Sequence, residues 1–333
     1  MSAYLPMVLL ASVGLGPNAA AGAEPWLLFP GEHGPGNGKH IVLISGDEEY
    51  RSEEGLPQLA KILAKHHGFT CTVLFAIDAK DGTINPNNGQ HIPGLEALDR
   101  ADLMIILTRF RHLPDDEMKH IVDYVESGRP IIGMRTATHA FNVHNGKYAR
   151  YSWDSQQWPG GFGRQVLGET WVDHHGHHGS QSTRGVIAPG MQDHPILHGL
   201  KDGDIWGPTD VYAVHLPLPK RCTVLVLGQV LDGMHATDKP AGGRQNNPMM
   251  PVAWTTSYRG EAGKTARVFA TTMGASQDLL SAGLRRLLVN ASYWCLAMDV
   301  PSRANVNLVG TYKPTAFGFN RFTKGLRPAD FAK

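Results

Sequence analysis

Cysteine is scarce in this chain of 333 residues, with Cys71, Cys222 and Cys295 as the whole complement. Their odd number and wide spacing exclude a disulfide framework and a cysteine-knuckle metal site. Cys71 and Cys222 fall in strand-like runs, FTCTVLF and CTVLVLG, and Cys295 falls in ASYWCLAM. All three read as small buried hydrophobes. An excess of charge of one sign is also lacking. Thirty-one Lys and Arg face 30 Asp and Glu, and no basic run occurs anywhere. That balance excludes the concentrated basic footprint a nucleic-acid partner requires. Beyond the first residues, no apolar run reaches the length of a membrane span. There is no internal repeat and no low-complexity tract.

What is present is an ordinary globular share of apolar residues, 42%, and an unusual 17 histidines. Histidine titrates near neutral pH and is the commonest metal ligand, so its excess points to catalysis or metal binding. At the N-terminus an apolar stretch from Leu5 to Leu15 precedes Ala21-Gly22-Ala23. This is an A-x-A pattern without the usual basic n-region. It predicts a signal peptide over 1–23 and an exported, periplasmic or extracellular protein beginning at Glu24.

After a leading loop at 24–39, the chain alternates between two periods. HIVLIS (40–45), FTCTVLF (69–75), DLMIILT (102–108) and PIIGM (130–134) are continuous apolar runs. Such runs suit strands buried on both faces. Between them lie helical spacings: Leu56, Leu59, Ile62 and Leu63, ended by Gly68, then Met118, Ile121, Val122 and Val125 after Pro114. A βαβαβαβ order predicts an α/β fold with a doubly wound, mostly parallel sheet and helices on both faces. Further strands are read at 224–230, 251–258 and 267–273, and a long helix at 279–298. One domain over 40–300 is expected, followed by an irregular tail at 301–333.

In such sheets ligands bind beyond the carboxyl ends of the strands. The loops there carry the candidate chemistry. GDEEYR (46–51) offers Asp47 and Tyr50 for a sugar hydroxyl, a metal or a proton, with helix capping as the alternative. TRFRHLPDD offers Arg109 and Arg111, which in an extended segment share a face toward an oxygen-rich ligand or pair with the 47–49 acids. IIGMRTATHAF reads as a strand-to-helix elbow, a turn that often presents a nucleophile. Here the elbow residue is Arg135, a cation. With Thr136 beside it, the elbow reads as an anion or carbonyl site, and His139 as an acid or base. HHGHHGSQSTRG groups His174, His175, His177 and His178 with Arg184. A proton-transfer role, a structural role and a divalent metal held by His175, His177 and His178 all remain open. Asp210 and Tyr212, in WGPTDVY, are further ligand-binding candidates.

GRPIIGMRTATHAF, GGFGRQVLGETWVDHHG, PILHGLKDGDIWGPTDVY, VFATTMGASQD and LRRLLVNASYW together resemble the trehalose-utilisation (ThuA-like) family of the class I glutamine amidotransferase-like superfamily. The resemblance runs from about 40 to 298 and is strongest to long exported versions of planctomycete type. It implies a flavodoxin-like sheet and a role in disaccharide use, in some cases through 3-keto-sugars. The expected activity is hydrolysis, elimination or isomerisation of a glycoside or keto-glycoside, with a small carbohydrate as partner and homo-oligomerisation left open. A non-catalytic carbohydrate-binding or scaffold module is the alternative. Amidotransferases carry a cysteine nucleophile at the elbow, and many ThuA-like proteins a histidine. Arg135 departs from both, which excludes glutaminase chemistry. Ala275 likewise stands where many relatives have histidine.

Overall fold

In the computed structural model, residues 24–332 are described. The expected signal peptide therefore lies outside the described residues. The leading segment contributes a strand, β1 (Trp26–Phe29), where a loop is expected. β2 (His40–Gly46), α1 (Ser52–His67), β3 (Thr70–Phe75), β4 (Leu103–Thr108), α2 (Asp115–Glu126) and β5 (Ile131–Met134) follow the alternation read from the sequence. The LEALDRA segment winds as a 3-10 turn, Leu95–Arg100. Gly68 ends α1 at φ +79, where its N–H reaches the carbonyls of Leu63 and Ala64. A residue with a side chain would be strained there.

The second half adds a short α3 (Gly161–Gln165), β6 (Trp171–His174), β7 (Ser182–Ile187), β8 (Trp206–Gly207), β9 (Tyr212–Val214), β10 (Thr223–Leu231), β11 (Met250–Arg259), β12 (Thr265–Thr271) and α4 (Ala282–Cys295). Ten strands make one sheet in the order β1-β3-β2-β4-β5-β12-β11-β10-β7-β8, and β6 pairs with β9 apart from it.

The expected mostly parallel sheet is corrected to a mixed one. β3, β2, β4, β5 and β12 run parallel. Counted along the chain, these five lie in the 2-1-3-4-5 order of flavodoxin-type sheets. β1 on one edge and β11, β10, β7 and β8 on the other are antiparallel. The reason is connection length: β11 reaches β12 through a turn at 260–264, too short for the crossover a parallel pair needs.

Alternate strand residues feed two cores. Ile41 and Leu43 pack with Leu59 and Leu63 of α1 and Leu284 and Leu288 of α4. Val42 and Ile44 pack on the other face with Ile121 and Val125 of α2. No helix among the described residues is long and apolar enough to cross a membrane.

Candidate functional site

The carboxyl ends of β2, β4 and β5 meet where the parallel strand order reverses, the place where open α/β sheets bind ligands. The loop after β2 is fixed by Asp47, which is fully buried. Its Oδ1 accepts the N–H groups of Glu49 (2.8 Å) and Tyr50 (2.5 Å), and its Oδ2 accepts the Thr136 hydroxyl. Asp47 thus ties this loop to the elbow after β5.

At the elbow Arg135 has φ +43, a conformation that costs a non-glycine residue about 1–3 kcal/mol. The guanidinium shows what holds it there. Nη1 donates to the carbonyls of Asp210 (2.8 Å) and Thr272 (2.7 Å). Nη2 donates to the Tyr50 hydroxyl (3.0 Å) and Asp210 Oδ1 (2.9 Å). The rings of Tyr50 and Tyr212 flank it at 4.3 and 5.1 Å. The Tyr212 hydroxyl donates to the Arg135 carbonyl and meets the Thr138 hydroxyl at 2.9 Å. Arg135 is fully buried, and its Nε has no partner. The residue expected to hold a substrate oxygen is spent on protein acceptors and lies beneath the pocket rather than in its lining. Burial opposes the Arg135 charge, but Tyr50, Asp210 and Asp278 outweigh it and drive the pKa up.

The two arginines after β4 divide in role. Both donate to the Glu48 carboxylate, Arg111 through Nη2 at 2.8 Å. Arg111 is buried and also donates to the carbonyls of Pro86 (2.8 Å), Asn88 (3.0 Å) and Arg109 (2.7 Å). Arg109 faces the pocket, with its guanidinium over the rings of Phe110 (4.6 Å) and Phe319 (5.0 Å). Burial, with Asp47 nearby, raises the carboxyl pKa values of Glu48 and Glu49.

Two histidines line the pocket with opposite electrostatics. His139 is buried, its Nδ1 is 3.3 Å from the Thr138 hydroxyl, and its ring packs on Phe110 (4.9 Å) and Trp171 (5.1 Å). Its Nε2 has no hydrogen-bond partner among the described residues. Burial, then the cations Arg109 and Arg135, hold its pKa well below 6.5. His174 is half-exposed, and its Nδ1 lies 2.8 Å from Asp210 Oδ2. That hydrogen bond outweighs partial burial and raises the His174 pKa. Burial alone would raise the Asp210 pKa, but hydrogen bonds from His174 and His178 and the Arg135 charge hold it low. Asp210 therefore accepts, and His174 donates through Nδ1.

His178 bridges Asp210 Oδ1 and Glu49 Oε1, 3.2 Å from each. His174, His178 and Asp210 offer ligand atoms within 4.8 Å of one another, a donor set able to hold a divalent ion. Of the three ligands read from the sequence, His178 belongs to this group and two do not. His175 Nε2 is 2.8 Å from the Gln245 carbonyl, and His177 is exposed, its N–H donating to Gln181. Arg184 bonds Gln229 and the Ala236 carbonyl, and none of these lines the pocket.

The resulting cavity, of about 20 Å³, is lined by Glu49, Tyr50, Arg109, Thr136, His139, Trp171, His174 and Tyr212. That is room for a water or one functional group of a ligand. A hollow of about 740 Å³ beside the start of α4 is larger but contains none of these groups. Trp171, a tryptophan that from sequence alone suits a sugar ring or the core equally, lines the pocket, and Phe319 at its rim belongs to no motif. The aromatic density of FGFNRF at 317–322 is the signal that could have drawn attention to the tail.

The family described as trehalose utilisation (ThuA) matches residues 41–295. No curated protein matches the chain. Among solved structures, a ThuA-like protein from Bacteroides uniformis is similar at 16% identity, covering 81% of this chain and 96% of that one, with a TM-score of 0.48. One from Parabacteroides merdae is similar at 14% identity, covering 89% and 99%, also with a TM-score of 0.48.

Proposed function

The chain belongs to the trehalose-utilisation (ThuA) family, and from that premise we propose that it is an exported enzyme of carbohydrate catabolism. It transfers protons on a keto-glycoside by means of His139 and His174. The observation that carries the reading is the opposed tuning of two imidazoles on one small cavity. Titratable groups whose environments push their pKa values apart are the mark of an acid and a base working together.

His139, held neutral, takes a proton through Nε2 from the carbon next to the substrate ketone. The electron pair left behind forms a carbon–carbon double bond as the neighbouring carbon–oxygen bond breaks. His174, held protonated by Asp210, gives its Nε2 proton to the departing oxygen. Arg109 faces the same cavity and supplies positive charge for the developing enolate oxygen. Arg135 makes no contact with substrate. It anchors Tyr50, Asp210 and Thr272, and with a cation at the elbow there is no amidotransferase nucleophile.

The test is to incubate purified protein with trehalose and with trehalose oxidised to a ketone at C3 of one ring, following release of glucose. Cleavage of the oxidised sugar that is lost in both His139→Ala and His174→Ala supports the reading. Full activity in either variant sinks it.

A second reading rests on the His174, His178 and Asp210 group: a divalent ion there would polarise the same ketone. Against it stands the Arg135 cation, already 2.9 Å from Asp210 Oδ1. Dialysis against a chelator separates the two, because the proton-transfer reading expects undiminished activity.

A further inference from the structure

A cavity of about 20 Å³ can admit the reacting group of a sugar but not its ring, so the ring must rest on something outside. The C-terminal tail, beyond the matched segment 41–295, supplies a candidate surface. It is tied down at several points, one of them at the pocket. The Tyr312 hydroxyl donates to the Ser276 carbonyl (2.7 Å), and Thr315 bonds the Glu54 carboxylate through N–H (2.7 Å) and hydroxyl (2.6 Å). The Gly318 N–H donates to the carbonyl of Glu49, a pocket residue, at 2.7 Å. Asn87 then bonds Asn320 at 2.9 Å.

Gly318 sits at φ +138, a conformation suited to glycine, between two phenylalanines with different surroundings. Phe317 is partly buried against Tyr50 (5.7 Å between ring centres) and His178 (5.3 Å). Phe319 lies over Arg109 and remains 50% exposed. Among the large apolar side chains that are exposed in the described residues, it is the aromatic one. Phe110, which packs on the same Arg109 guanidinium, is joined through Trp153 to the pocket residue Trp171 by ring contacts of 5.6 and 6.2 Å. An exposed aromatic ring beside a pocket of convergent polar groups offers a flat apolar face for the C–H face of a sugar.

We propose that residues 315–322 form a strap that completes the substrate site, with Phe319 as the platform for a pyranose ring whose reacting end enters the pocket. The apolar C–H face of the ring covers the side of Phe319 turned away from Arg109. This inference rests on the carbohydrate reading above and adds the residue that recognises the ring.

The test is isothermal titration calorimetry with C3-oxidised trehalose, using wild type, Phe319→Ala and Phe319→Trp, after thermal melts confirm folding. The expected result is a Kd raised about tenfold in Phe319→Ala and restored in Phe319→Trp. Equal affinity in Phe319→Ala and wild type overturns the platform and leaves the proton-transfer reading standing. A loss that tryptophan does not restore marks a packing role and overturns the platform as well. Wild type that binds neither trehalose nor its oxidised form removes both proposals together.

Discussion

The two pocket histidines set a pH dependence whose sign can be worked out. His139 acts as base only when neutral, and its pKa lies well below 6.5. His174 acts as acid only when protonated, and its pKa lies above 6.5. The expected kcat/KM profile is a bell whose plateau spans pH 6.5, falling on the acid side with His139 and on the alkaline side with His174. His174→Gln should lower the rate by about 10²–10⁴-fold and remove the alkaline limb. A pH-rate series on both proteins checks this, and an alkaline limb surviving in His174→Gln assigns it to another group. Asp210 makes a separate prediction. Its removal leaves the Arg135 cation buried without its counter-charge, which costs about 3–5 kcal/mol. Asp210→Ala should show that loss in urea unfolding. The sequence named all four of these residues but could not separate the exposed from the spent. Arg135 and Arg109 look alike as cations in strand-end loops. Burial by Tyr50 and Tyr212, which come from distant segments, is what makes one of them structural.

At the scale of elements, α1 and α2 were legible from a helical period bounded by glycine or proline, and β2, β4 and β5 from continuous apolar runs. The antiparallel flank was less so. β10, β11 and β12 read as strands, yet their direction depends on connections, and the short turn at 260–264 was the available clue. β1 stayed hidden because four residues in a Gly- and Pro-rich stretch carry no period; their partner, β3, supplies the hydrogen bonds that make them a strand. α4 begins where its cap permits. Ser281 accepts the Leu284 N–H through its side chain, while Asp278, three residues earlier, is buried and accepts from Thr209, Gly274 and Ala275. Ser281→Ala should therefore cost about 1 kcal/mol, measured as a lowered unfolding midpoint at unchanged m-value. Asp278→Ala should cost more, because it leaves three backbone amides, those of Thr209, Gly274 and Ala275, and the Thr209 hydroxyl without an acceptor.

At the scale of the whole molecule, export is tested by sequencing the N-terminus of protein recovered outside the cytoplasm. The expected first residue is Glu24, and recovery of Met1 in that fraction argues against cleavage. The tail from 301 shows where sequence reading runs out, since Phe317 and Phe319 acquire meaning only when the chain returns to Tyr50, His178 and Arg109. The Arg135 clamp carries a consequence for the order in which the molecule assembles. Both terminal nitrogens of its guanidinium bond residues 75, 85 and 137 positions away along the chain. Contacts that distant close large loops and form slowly compared with neighbouring β–α–β pairings. The strained elbow is held in full only once Tyr50, Asp210 and Thr272 have joined Asp47 and Tyr212 around it. The pocket should thus consolidate late in folding, so catalytic competence should return after the helical signal when the denatured chain is refolded by rapid dilution.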